Sequence, residues 1–418
     1  MQIVGAVLER SGAPAPFAAS RPFTVGPLEL DPPGPGELLV RIEAAGVCHS
    51  DLSVVDGNRP RPLPMLLGHE AAGIVEDVGA DVGDIAPGTR VVMTFLPRCG
   101  ACAACGTDGR LPCEVGSAAN AGGTLVGGGI RLHREQGGSK HPDSQQSDSP
   151  QSDSPQPDSQ RSDSQRSDSQ QRVFHHLGVS AFATHAVVSR TSVVPVDDDV
   201  PAEVAALLGC AVLTGGGAVI NAGRPEPGSR VIVVGLGGVG MAALLVAVAL
   251  GHEVIGIDAV EAKLDLARDL GAAAAYAPGG GALGDLRAPV VVEAAGSPRA
   301  FETAFALTAP GGTTVTVGLP APAARASISP LQLTAEARTV IGSYLGSAVP
   351  SRDIPRYVDL WRAGRLPLER LVSSRIRLDE LDAAMDRLAG GAELRQLIAF
   401  DTPQSPEIAE TPPERKPA

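Results

Sequence analysis

The chain has 418 residues, 43% hydrophobic but only 3% aromatic, with 50 Gly, 36 Pro and a formal net charge of -13. That length provides for two or three domains around a core of Val, Leu, Ile and Ala, and the negative charge argues against a nucleic-acid partner, whose phosphates need a basic surface. No basic-then-apolar leader and no run of about 18 apolar residues is apparent, the richest stretch being Val239 to Leu250, so a cytoplasmic protein free of membranes is expected.

In chain order, residues 1–90 read as β-rich. Gln2 to Leu8 is a short apolar strand, and Glu37 to Ala44 alternates as a half-buried strand does. Gly73 to Gly79 and Thr89 to Met93 supply two more, with turns at Pro32 to Gly36 and at Pro87-Gly88. Short strands punctuated by Gly and Pro predict a barrel-like β domain. Within it, Cys48-His49-Ser50-Asp51 packs a thiol, an imidazole, a hydroxyl and a carboxylate into consecutive positions, and Gly68-His69-Glu70 follows.

Cys99, Cys102, Cys105 and Cys113 crowd the next loop, while Cys48 and Cys210 stand alone. Disulfides need an oxidising compartment, and a run of thiols two residues apart suits a tetrahedral metal better. Four thiolates at this spacing close around one zinc with no vacant position, as in a structural site. From Arg134 to Arg172 the composition changes abruptly. Asp143, Asp148, Asp153, Asp158, Asp163 and Asp168 recur every five residues, each followed by Ser. That period is neither helical nor strand-like and almost nothing is apolar, so a disordered tandem insert is expected over 134–172.

Strands resume at Ala181 to Val188 and Ser192 to Val194, and His175, His176 and His185 in this stretch are read as bonded to backbone or solvent. Val204 to Leu208 and the residues around Cys210 look helical, with Pro201 and Glu203 suited to a first turn. Then Val231 to Val234 reads as a fully buried strand, Gly235-Leu236-Gly237-Gly238-Val239-Gly240 follows at once, and Met241 to Leu250 is an Ala/Leu helix. A second strand, Glu253 to Ile257, ends in Asp258. Strand, glycine loop, helix and acid in this order form a dinucleotide fingerprint. The glycines let backbone approach a pyrophosphate at a helix N-terminus. A carboxylate at Asp258 bonds a ribose diol and repels a 2′-phosphate, which favours NAD over NADP. The βα alternation continues through Ala262 to Leu270, Val290 to Glu293, Arg299 to Leu307 and Thr313 to Val317, the order of a doubly wound parallel sheet. Helices at Ile354 to Ala363 and Leu378 to Leu388, a closing strand from Leu397 to Phe400, and a polar tail over 401–418, expected to be disordered, complete the chain.

Taken together and in register, these motifs resemble the zinc-dependent medium-chain alcohol dehydrogenases in their longer form. Gly46 to Asp51, Gly68 to Glu70, the four-cysteine lobe, Phe174 to Phe182, Gly209 to Gly215, Gly235 to Gly240 and the closing strand carry the likeness. It covers all but the repeat and residues 401–418. The resemblance implies a GroES-like β-barrel catalytic domain over 1–211, a Rossmann NAD-binding domain over 212–344, and a return to the catalytic domain over 345–400. It implies a catalytic zinc on Cys48, His69 and Cys210, the Cys₂His set for which alcohol dehydrogenases are known, and a structural zinc on Cys99, Cys102, Cys105 and Cys113. Ser50 matches the hydroxyl that bonds the substrate oxygen, and Asp51 and Glu70 match carboxylates behind the ligands. Thr214 matches a nicotinamide contact, Asp258 and Lys263 ribose contacts, and His49 and Arg395 pyrophosphate contacts, alongside Gly235, Gly237, Gly238, Val239 and Gly240. The implied reaction is reversible hydride transfer between a primary or secondary alcohol, aliphatic or aryl, and NAD, by a homodimer or homotetramer. Phe95 is expected to line the substrate pocket or the core.

Two departures bear on mechanism. The family's frequent relay histidine three residues past Ser50 is Ser53, so proton exit passes by His49 or water. The branch acting on glutathione adducts has an arginine where this chain has Ser117 and an acid where it has Arg59, which argues against such a substrate. Two rival readings stand beside this one: a zinc-free quinone or enoyl reductase on the same architecture, and a non-enzymatic zinc- and nucleotide-binding redox sensor.

Overall fold

The structure, a computed structural model, describes residues 1–135, 170–279, 283–391 and 393–400. A closed barrel joins Gln2–Leu8, Phe23–Leu30, Leu132–Glu135, Gln170–His175 and Met65–Leu66 in that order. Beside it lies a seven-stranded sheet ordered Val193–Pro195, Arg90–Met93, Glu70–Val78, Glu37–Val47, Arg395–Ala399, Val372–Ile376, with His185–Ser189 also paired to Glu37–Val47. The third sheet is six-stranded, in the order Ala274–Tyr276, Glu253–Ile257, Arg230–Val234, Ala288–Glu293, Thr308–Thr316, Thr339–Gly342. Every ladder in that sheet is parallel. The β-barrel and the doubly wound sheet are thus both present, and Arg395–Ala399 carries the end of the chain back against the Glu37–Val47 strand.

The helix Gly238–Ala249 is apolar on all sides and almost wholly buried, as a helix packed between a sheet and other helices must be. Gly240 is required there: a Cβ would stand 1.7 Å from the Gly235 carbonyl oxygen, so only glycine lets the helix begin against its strand.

Several expectations are corrected. A continuous helical run, Ala202–Gly223, spans 22 residues and is long and apolar enough by composition to cross a membrane. It is instead mostly buried within the protein, in the largest hydrophobic cluster, and it runs across the 211/212 boundary. The strand Phe23–Leu30 was not anticipated; it pairs through Gly26 and Pro27, with Pro27 opposite Val4. Strand structure over Ala181 to Val188 is confined to His185–Ser189, Ala183 making an isolated bridge to Gly5. The insert is shorter than 134–172, because Arg134 and Glu135 pair with Gln171 and Gln170 in a hairpin. The rest of the repeat and the tail over 401–418 lie outside the described residues.

Candidate functional site

Register brings the first two candidate ligands together. Glu37–Val47 and Glu70–Val78 run antiparallel with Gly46 opposite Glu70, so the chain leaving one strand at Cys48 meets the chain entering the other at His69. The helix His49–Val55 starts immediately, with Cys48 as its N-cap residue. Asp51, in its first turn, accepts the Cys48 N–H at 3.1 Å through Oδ2. Its Oδ1 accepts the Gly68 N–H at 3.2 Å and the His69 Nδ1–H at 3.0 Å. One fully buried carboxylate therefore ties the two loops together and points His69 Nε2 away from itself.

Cys210 arrives from the long helix, in its π-helical segment Leu208–Val212, a kind of distortion that often marks functional sites. Gly209 makes the approach possible, since a Cβ there would lie 1.9 Å from the Met93 carbonyl oxygen. Cys210 Sγ stands 3.5 Å from His69 Nε2. The donor atoms of Cys48, His69 and Cys210 all lie within 4.8 Å of one another, every one buried. Two soft thiolates and an imidazole so placed fit zinc.

The electrostatics agree with a cation site. The Cys48 thiol is held well below its ordinary value, chiefly by the bond from Cys210 and then by the Arg395 charge, against the effect of burial. Burial alone would lower His69, but Asp51 and Cys48 hold it well above its usual value. Burial would raise Asp51, yet His69 and His176 keep it below the usual carboxylate range. Glu70 is pushed up to about 7 by burial, which the Arg395 charge only partly offsets. The Arg395 guanidinium lies 3.1 Å from Glu70 Oε1, both buried, and its other face meets the glycine loop, where a Cβ on Gly238 would fall 2.4 Å from it.

A cleft of about 470 Å³ joins these groups to the cofactor pattern. Its walls include Cys48, His49, Ser50, Cys210, Thr214, Gly235, Gly237, Gly238, Val239, Asp258, Lys263 and Arg395. Gly240 is in the helix behind the loop, and His69, Asp51 and Glu70 lie in the layer behind Cys48 and Cys210. Helix Gly238–Ala249 starts at Gly237 with no side chain capping its first N–H groups, which suits a pyrophosphate. Asp258 accepts from the Leu236 N–H at 2.7 Å and the Val260 N–H at 2.9 Å, so its carboxylate is fixed at the cleft edge with lone pairs to spare. The residues present thus fit both zinc and a dinucleotide.

The second thiol cluster also converges. Cys99, Cys102, Cys105 and Cys113 place their Sγ atoms within 4.8 Å of one another. The N–H groups of Cys99, Cys102 and Gly116 point at Cys113 or Cys99 sulfur. Backbone N–H groups, that of Glu114 first, bring the Cys102 thiol down to about 6.

Sequence reasoning missed three contributors. His175 is backbone-bonded, accepting the Arg131 N–H at 3.1 Å, and His185 meets Thr184 and Glu76. His176 differs: its Nδ1 lies 3.2 Å from Asp51 Oδ1 and its ring packs edge-on against His69 at 5.4 Å. It stands in the Phe174 to Phe182 motif but reads in the sequence, with His175 and His185, as bonded to backbone or solvent. Phe95 lines the cleft and packs edge-on against His69 and Tyr344, each at 5.6 Å. Tyr344 and Arg59, also in the wall, carried no motif as pocket residues.

Comparison with known proteins matches two family descriptions: the alcohol dehydrogenase GroES-like domain at residues 34–134 and the zinc-binding dehydrogenase domain at residues 238–362. The chain is 36% identical over 391 residues to a geraniol dehydrogenase of Castellaniella defragrans, covering 91% of this chain and 95% of that protein. It is 33% identical over 397 residues to an NDMA-dependent alcohol dehydrogenase of Amycolatopsis methanolica, covering 91% and 96%. Among solved structures, benzyl alcohol dehydrogenase from Acinetobacter calcoaceticus superposes with a TM-score of 0.80 at 29% identity, covering 96% of this chain and all of that one.

Proposed function

The chain belongs to the zinc-dependent medium-chain alcohol dehydrogenase family, and on that premise we propose that it interconverts primary or secondary alcohols, aliphatic or aryl, with aldehydes or ketones, using zinc and NAD. The observation that carries this reading is the convergence of Cys48, His69 and Cys210 on one point of the cleft lined by the glycine loop. A zinc-free reductase has no use for that trio. Two relatives are named for geraniol and benzyl alcohol, primary alcohols with an unsaturated carbon beside the carbinol.

When bound, zinc supplies a Lewis acid for the substrate oxygen and NAD supplies the hydride acceptor. The chain does the rest. Cys48, His69 and Cys210 would hold the metal, and Asp51 fixes His69 in the tautomer that leaves Nε2 free to ligate. Ser50, in the cleft wall, relays the proton: its Oγ accepts the alcohol's hydroxyl proton as its own Oγ–H passes onward, and the reverse transfer serves aldehyde reduction. Ser53 donates its Oγ–H to the His49 carbonyl at 2.8 Å, so the onward route lies by the His49 ring or water. Thr214 bears on the nicotinamide, Arg395 and the free helix N–H groups on the pyrophosphate, and Asp258 with Lys263 on the ribose.

The four-cysteine lobe would hold a second, structural zinc. The strand Thr339–Gly342 ends its sheet with no partner on its outer side among the described residues, which supports a homodimer or homotetramer paired along that edge; a cytoplasmic setting is a separate part of the proposal. Metal analysis together with alcohol-dependent NADH formation over short aliphatic, long aliphatic and aryl alcohols tests the reading. Two zinc ions per chain and turnover are expected; a zinc-loaded protein inert toward every alcohol would contradict it.

A further inference from the structure

The cleft wall carries positive charge to which the reading above gives no role. Arg59 lines the cleft alongside Asn58, Phe95 and Tyr344. Arg61 follows two residues later in the same loop, its Nε buried without a hydrogen-bond partner. Among the described residues neither guanidinium makes an ion pair or side-chain hydrogen bond. Asp56, also in the wall, is hydrogen-bonded to Asn58. Its two oxygens accept from the Asn58 backbone N–H and side-chain amide, each at 2.8 Å, and its charge acts on His49, toward the cofactor side.

The two arginines act instead on Tyr344. Burial raises its hydroxyl pKa, and both guanidinium charges oppose the rise. Tyr344 is joined to the metal ligands by two edge-on ring contacts, first to Phe95 and then from Phe95 to His69. The same cleft wall thus carries two aromatic rings and the Arg59 cation. The planar fork of a guanidinium matches a carboxylate in two parallel bonds.

We propose that Arg59 forms a carboxylate-recognition subsite in the cleft wall, so that the preferred substrates are alcohols or aldehydes bearing a carboxylate remote from the reacting carbon. The proposal rests on the dehydrogenase reading and names the substrate class of the same cleft. The reacting carbon sits at the thiolate end beside Ser50, while the far end of the substrate exchanges water for the Arg59 fork.

The test uses the zinc-loaded enzyme with NAD and two matched pairs: benzyl alcohol against para-hydroxymethylbenzoate, and hexanol against its omega-carboxylated counterpart. The carboxylated member of the aryl pair is expected to have a kcat/KM about tenfold or more above the neutral one, mainly through KM, because a hydrogen-bonded charge pair discriminates strongly. That advantage shrinks with added salt. Arg59→Gln lowers the carboxylated-to-neutral ratio by about tenfold, and Arg59→Lys recovers part of it as a point charge without the fork. Equal kcat/KM within both pairs, or a ratio unmoved by Arg59→Gln, overturns the inference and leaves alcohol oxidation standing. Turnover of no alcohol in either pair removes the dehydrogenase reading and this inference together.

Discussion

Replacing Asp51 by Asn isolates the tie between the two ligand loops, because the change keeps shape and volume while removing charge. Oδ1 faces the Gly68 N–H at 3.2 Å, the His69 Nδ1–H at 3.0 Å and His176 Nδ1 at 3.2 Å, whereas Oδ2 faces only the Cys48 N–H at 3.1 Å. An asparagine keeps the crowded side by placing its oxygen there, and its NH₂ then confronts the Cys48 N–H. At least one charge-assisted bond is lost and two donors are left opposed in a fully buried setting, which costs about 2–4 kcal/mol of stability in the metal-free protein. His69 also loses the partner that fixes its tautomer, and zinc affinity at the Cys48–His69–Cys210 site is expected to fall about 10- to 100-fold. The four-cysteine site shares no residue with Asp51. Chelator competition followed by metal analysis should therefore remove one zinc early from Asp51→Asn while the second stays. Equal resistance of both ions in variant and parent would refute the role assigned to Asp51.

Asp258→Ser removes the carboxylate while leaving a small hydroxyl, and the NAD-to-NADP ratio of kcat/KM is expected to fall at least about tenfold; unchanged selectivity would contradict the ribose assignment. His175 is buried and held down to about 3 by burial and the nearby Arg131 and His133 charges. Its folded pKa lies below the unfolded value near 6.5, so the unfolded chain binds more protons between those limits. Its contribution to stability, on the order of a few kcal/mol, is full above that range and is lost as pH falls toward 3. Denaturant titrations across this window should show a shallower pH dependence for His175→Gln. Gly240→Ala drives a Cβ to 1.7 Å from the Gly235 carbonyl oxygen, which forces backbone movement and should lower stability by about 1–3 kcal/mol and weaken NADH binding measured by fluorescence; a variant as tight and stable as the parent would show that the loop tolerates the shift.

What the chain alone made legible was contiguous. The strand Arg230–Val234, the glycine loop and Asp258 lie within one short stretch, so periodicity and turn chemistry expose the nucleotide crevice directly. The four thiols of the lobe are likewise near neighbours, and their spacing is enough to imply convergence. The thiol and imidazole at Cys48 and His69 announced reactive chemistry, but their meeting with Cys210 came from the family likeness. In the folded chain it depends on an antiparallel register between two strands and on a helix pressed against Met93 at Gly209.

Tertiary structure decided what no local pattern encodes. In the sequence only Val204 to Leu208 and the residues around Cys210 read as helical, yet burial sustains one run, Ala202–Gly223, through two π-helical segments, because packing overrides propensity. His176 carries no periodic signal, and it matters because a distant loop sets its ring beside Asp51 and His69. Arg59 stood out in the sequence only for replacing an acid; its place in one cleft wall with Phe95 and Tyr344 comes from the fold. Local chemistry is written in neighbouring residues, whereas distance, desolvation and the absence of a partner are properties of the folded chain.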